Sequence, residues 1–151
     1  MTYKLSQRSL DRLEGVDEEL AAVVKQAITT TKIDFGVICG LRTVEMQKKL
    51  VARGASKTMK SKHITGHAVD LMAYISGRGS WEHNLYDDIG DAMKEAGDTL
   101  GVRLRWGAAW HINDLRKWEY TMESAMNSYI DTRRAANRRC FIDGPHFEKV
   151  V

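Results

Sequence analysis

The sequence predicts an α+β fold, a small antiparallel sheet with helices packed on its back. Three observations predict it. Apolar residues recur at helical spacing in four segments. Between those segments lie short apolar or alternating runs of strand length. Two blocks, SKHITGHAVD at 61–70 and DGPHF at 143–147, carry side chains suited to one shared site, which requires their strands to be neighbours at the sheet centre.

Residues 1–15 are polar and read as a lead-in without an element of their own. Asp17 opens a helix with an acidic first turn, where carboxylates favour the positive end of the helix dipole. Leu20, Val23, Val24, Ala27 and Ile28 form its apolar face, and the threonines at 29–31 end it. DFGVICGL at 34–41 reads as a strand, with Gly36 and Gly40 as weak points or bulges. Thr43 caps a second helix, with Met46 and Leu50 turned inward and Gly54 as its stop. ASKTMKSK at 55–62 is a basic loop, and HAVDLMAY at 67–74 is the next strand. After a turn at 76–80, residues 81–100 form a long amphipathic helix through Leu85, Ile89, Met93, Ala96 and Leu100, ended by Gly101. VRLRW at 102–106 alternates as a strand, and a loop, GAAWH, follows. Residues 118–136 are the last helix, with Met122, Ala125, Met126, Tyr129 and Ile130 on one face. A short strand starts at His146.

The chemistry sits in the two blocks. His63 offers an imidazole and Asp70 a carboxylate, both ordinary zinc ligands. Seven positions apart on an unbroken strand they would face opposite sides. Gly66 permits a bend between them, so His63 lies on a turn and Asp70 on the strand. His63 and His67 stand four apart, as in the HExxH helix of zinc proteases. Here isoleucine replaces the glutamate and a glycine falls mid-helix, so His67 is a polar neighbour rather than a ligand. Catalytic zinc has three protein ligands and one open position. His146 supplies the third, and Asp143 is left for proton transfer. Gly144–Pro145, with the chain's only proline, sets the approach to His146. Trp106, Trp110 and His111 are candidates to wall the cleft and take substrate, the alternative for the tryptophans being core. Cys39 and Cys140 read as buried free thiols, with no partner at zinc-finger spacing.

SxHxxGxAxD followed by carboxylate-x-x-His resembles the zinc D-Ala-D-Ala carboxypeptidase family, which includes the vancomycin-resistance dipeptidases and has a hedgehog/DD-peptidase-like fold. GLRTVEMQ at 40–47, RWGAAW at 105–110 and DGPHFE at 143–148 bring the chain closer to the L-alanyl-D-glutamate peptidases that some tailed phages use as endolysins. The resemblance covers most of the chain, in the same order. It implies zinc on His63, Asp70 and His146, Asp143 as catalytic base, and Arg42 at the site in contact with substrate. It also implies hydrolysis of the L-Ala–D-Glu bond of peptidoglycan stem peptides. A D-Ala-D-Ala carboxypeptidase or dipeptidase, or a non-hydrolytic zinc-binding module, is the alternative. The helix at 118–136 is a departure: in the compact phage enzymes the tryptophan block lies closer to the final histidine.

The bounds agree with that reading. At 151 residues the chain suits one catalytic domain, without a separate wall-binding domain. A net charge of +3 is too mild to indicate nucleic acid, and suits a monomeric enzyme working on an anionic wall. No apolar run reaches membrane-span length. The first residues have no apolar core, so no secretory signal is expected. An enzyme of this kind would stay in the host cytoplasm until released to the wall.

Overall fold

The structure is a computed structural model and describes residues 2–151. Its element order is α1 (Gln7–Arg12), α2 (Glu18–Thr30), β1 (Asp34–Cys39), α3 (Val44–Ala52), β2 (Ala68–Ile75), β3 (Arg78–Ser80), α4 (His83–Leu100), β4 (Leu104–Trp106), α5 (Met122–Ala135) and β5 (His146–Lys149), with a short 3-10 turn at Leu115–Lys117. The sheet is wholly antiparallel, in the order β1-β2-β5-β4, and β3 pairs with the outer half of β2. The α+β class is as expected, and β2 and β5 are indeed neighbours at the centre.

Alternation along the strands separates two faces. Val69, Leu71 and Ala73 of β2, Phe147 of β5 and Trp106 of β4 are buried in the core. Leu20, Val23, Val24 and Ala27 of α2 and Ile89, Met93 and Ala96 of α4 complete that core. On the other face β2 presents Asp70, Met72 and Tyr74, all only half-buried. The polar chemistry therefore has one side of the sheet to itself.

Several elements depart from the sequence reading. Residues 7–12, expected to be a lead-in, form a helix capped by Ser6, whose hydroxyl accepts from the Ser9 amide at 3.1 Å. Ser9 is buried and accepts from the Val37 amide at 2.9 Å, while Arg12 donates to the Val37 carbonyl at 3.0 Å. This helix thereby covers β1, an edge strand whose unpaired groups would otherwise be open. On α3 the buried residue is Gln47. Met46 is exposed and Leu50 only half-buried, because the inner side of that helix meets a polar network and not the core. Residues 78–80 pair as a strand, and Leu100 is exposed at the end of α4. The last helix is shorter than expected, Met122–Ala135, preceded by the 3-10 turn.

Candidate active site

Three strands bring one row of side chains together. Asp70 on β2 stands opposite Cys39 on β1 and opposite His146 on β5. His63 reaches the same row from the turn before β2. Gly66 sits in that turn at φ +78°, and a Cβ there would lie 2.6 Å from the Gly15 carbonyl oxygen, so only glycine fits. The turn is tied back by the Asp17 amide, which donates to the Gly66 carbonyl at 2.8 Å.

The two histidines meet opposite oxygens of one carboxylate. His63 Nε2 lies 3.2 Å from Asp70 Oδ2, and His146 Nδ1 lies 3.3 Å from Asp70 Oδ1. The nitrogens turned away are anchored as well. His63 Nδ1 is 2.8 Å from the Gly40 carbonyl, and His146 Nε2 is 2.9 Å from Glu148 Oε1. Such outer hydrogen bonds fix which nitrogen of a histidine is free to bind a metal. Both histidines and Glu148 are buried, and Asp70 is half-buried.

The charges respond to one another. Burial by itself would lower the His63 pKa, but hydrogen bonds to Asp70 and the Cys39 sulfur raise it to about 10. His146 is likewise lowered by burial and raised, by Asp70 and Glu148, to about 9. Burial works to raise Asp70, yet hydrogen bonds from His146 and His63 hold its carboxyl well below the usual carboxylate range. Asp143 goes the other way. Burial pushes it up, and the neighbouring Asp70 adds to that push. A carboxyl raised in this manner is a better proton carrier near neutrality than an ordinary aspartate.

Asp143 is carried by a backbone clasp. Its amide donates to the Gly107 carbonyl at 2.8 Å, the Gly107 amide donates to the His146 carbonyl at 2.9 Å, and the His146 amide donates to the Asp143 carbonyl at 3.1 Å. A side chain at Gly107 would collide with the Asp143 carbonyl. The GAAW loop thus sets the position of DGPH.

Arg42 also reaches the row. Its guanidinium donates to Gln47 Oε1 at 2.9 Å and to Cys39 Sγ at 3.3 Å, and lies 3.5 Å from Asp70 Oδ2. Gln47, fully buried, spends its amide group on the Thr58 carbonyl at 2.6 Å and the Ser56 hydroxyl at 2.8 Å, which holds the basic loop against α3.

The aromatic residues divide. Trp110 is half-buried, tilted against His146 with ring centroids 5.5 Å apart, and stacked on Phe141 at 6.3 Å. Trp106 is 0% exposed and donates to the Gly144 carbonyl at 2.7 Å, so it is a core residue and cannot wall the cleft. His111 packs on Trp118 and Tyr129 and lies 3.1 Å from the Ser128 hydroxyl, turned to α5 and not to the carboxylate row. His67 pairs with Thr65 at 2.8 Å and lies 3.8 Å from Asp17, beside the site but outside the row.

Two overlapping donor sets are close enough for a metal ion, Cys39 with His63 and Asp70, and Asp70 with Asp143 and His146. Asp70 belongs to both. Two imidazoles and a carboxylate, with a second carboxyl beside them and the outer histidine nitrogens already engaged, have the donor chemistry of a catalytic zinc site. Three participants were not expected from the sequence: Cys39, Gln47 and Glu148. Cys140, expected to be buried, is exposed.

Comparison with known proteins gives a consistent result. A family model described as phage L-alanyl-D-glutamate peptidase matches residues 1–150. The chain is 36% identical over 117 residues to the L-alanyl-D-glutamate peptidase of Escherichia phage T5, covering 75% of this chain and 85% of that protein. Among solved structures it is similar to the Serratia marcescens L-Ala D-Glu endopeptidase ChiX, with a TM-score of 0.71 and 30% identity over 95% of this chain and 87% of that one.

Proposed function

Since the chain belongs to the phage L-alanyl-D-glutamate peptidase family, we propose that it hydrolyses the L-Ala–D-Glu bond of peptidoglycan stem peptides with one zinc ion held by His63, Asp70 and His146. The observation that carries this reading is the approach of both imidazoles to the Asp70 carboxylate, at 3.2 and 3.3 Å, with Asp143 beside them. Zinc bound there supplies a Lewis acid that polarises the scissile carbonyl and lowers the pKa of water from about 15.7 to about 7.

The chain's own residues do the rest. Asp143, raised by burial, accepts the proton of the attacking water and delivers it to the departing D-glutamate amine. No covalent intermediate is needed. Arg42 is held by Gln47 and Cys39 and keeps further N–H donors for a substrate carbonyl or carboxylate oxygen. Trp110 and Phe141 supply an apolar wall on the His146 side. In this reading Trp106 positions the final loop and His111 takes no part. The enzyme is a phage endolysin, acting as a monomer once it reaches the host wall, and among the described residues no helix is long and apolar enough to cross a membrane.

Digestion of purified sacculi tests the proposal. New L-alanine carboxyl ends and D-glutamate amino ends are expected, and lost on zinc removal. Release of free D-alanine would replace it with a carboxypeptidase, and no release at all would leave a binding module.

A further inference from the structure

The segment formed by α5 and the turn after it ends in four arginines within seven residues: Arg133, Arg134, Arg138 and Arg139. The turn has a defined build. Asn137 adopts φ +53°, its amide donates to the Arg134 carbonyl at 3.0 Å, and the Arg138 amide donates to the Arg133 carbonyl at 2.8 Å. These are the two bonds of a Schellman cap. Arg133 Nε fastens the return by donating to the Arg139 carbonyl at 2.6 Å. The fold-back gathers Arg134, Arg138 and Arg139 with Ile130, Asn137 and Cys140 around an open surface cavity of about 380 Å³, all of them exposed except the half-buried Ile130. Among the described residues none of these three arginines is in an ion pair.

A helix C-terminus carries partial negative charge, which disfavours anions. Here the cap occupies the Thr132, Arg133 and Arg134 carbonyls, and three full positive charges outweigh what remains. The cavity is also within reach of the catalytic row. Cys140 on its wall is three residues from Asp143, so their Cα atoms are at most about 11 Å apart. Phe141, between them, is stacked on Trp110, which touches His146. Three or four residues of extended peptide cover that distance, at about 3.3–3.6 Å each.

We propose that this cavity is an accessory carboxylate-binding subsite for the part of the stem peptide that continues beyond the D-glutamate. The inference rests on the peptidase reading above. A glutamate whose amine is tied up in the scissile bond keeps two carboxyl groups, and the chain continues through only one. The D-glutamate's own free carboxylate stays beside the scissile bond, whereas the terminal carboxylate of a peptide that continues three or four residues, at about 3.3–3.6 Å each, reaches the arginines. Guanidinium groups in a fork bind carboxylates bidentately.

The test compares two synthetic substrates, one ending at D-glutamate and one continuing for several residues to a free carboxylate. They are given to the zinc-loaded parent and to an Arg134→Gln/Arg138→Gln/Arg139→Gln variant. For the longer peptide the variant's KM should rise about tenfold, the combined effect of three solvent-exposed ion pairs, with kcat unchanged. The shorter peptide should be turned over equally by both. Amidating the far carboxylate should make the parent behave as the variant does. Equal KM values for the longer peptide, or equal losses on both peptides, would overturn the subsite. So would arginine-dependent retention on phosphatidylglycerol vesicles with unchanged peptide kinetics, which would assign the cavity to a membrane. Calorimetric binding of the longer peptide provides a readout that needs no turnover. A parent that binds it through these arginines but cuts neither peptide would refute the peptidase reading and support the subsite.

Discussion

Glu148 should control the metal site without touching the metal. Its Oε1 lies 2.9 Å from His146 Nε2, both groups are buried, and Arg105 approaches the other oxygen at 4.0 Å. The contact commits His146 to presenting Nδ1 toward Asp70. It also lowers the Glu148 carboxyl, against the raising effect of burial. Glu148→Ala leaves a buried N–H and a nearby guanidinium without their partner. Breaking a buried pair from one side costs roughly 3–5 kcal/mol. At about 2–4 °C per kcal/mol for a domain of this size, the metal-free protein should melt roughly 6–20 °C lower. Loss of a histidine's outer partner typically weakens metal affinity about 10–100-fold. Glu148→Gln keeps an acceptor oxygen and loses the charge, so it should fall between parent and alanine variant. Thermal unfolding of the metal-free proteins and zinc titration against a chelator of known affinity measure the two effects separately. An alanine variant with parental melting temperature and parental zinc affinity would show that Glu148 neither supports the fold nor orients His146, and the assignment of Nδ1 as the metal-facing nitrogen would lose its physical basis.

Three further outcomes are expected. Asp143→Ala should keep its zinc and lose turnover by about 10²–10⁴-fold, the usual worth of a general base; wild-type rates on sacculi would remove it from the mechanism. Gly107→Ala should damage activity through Asp143, since its Cβ collides with the carbonyl of that residue; peptide turnover would fall even where the zinc content of the purified variant matches the parent. Asp87, buried on α4 with Oδ1 unpartnered, is raised to about 6 by burial and by Glu123, Asp88 and Asp91. A carboxyl raised on folding contributes stability below its unfolded pKa near 3.8 and loses that contribution as pH rises through 6, here up to about 3 kcal/mol. Asp87→Asn should therefore be more stable than the parent above pH 6 and indistinguishable from it below pH 4, as measured by urea unfolding at both ends; an equal difference at both would mean that titration is not the cause.

What the sequence could and could not disclose about the site follows from strand register. Asp70 and His146 were legible because each sits in a short block whose residue types have few other uses together, and Gly66 because a bend was needed to bring His63 round. Glu148 left a weaker trace: it lies two residues beyond His146 on one strand, hence on the same face. Cys39 left none. Val37 pairs with Leu71 and faces the core, so along a regular strand Ile38 would oppose Asp70 and Cys39 would turn inward with Val37. The bulge between Val37 and Cys39 skips Ile38 and sets Cys39 opposite Asp70 instead. One extra residue in a strand reverses the facing of everything after it. That shift moves a thiol expected in the core to 3.7 Å from His63 Nδ1 and 3.3 Å from the Arg42 guanidinium. It also decides where β1 ends, and so brings Arg42 to Asp70. Alternation of residue types reports a face only while the ladder is regular, and here the irregularity falls at the strand end that the chemistry uses.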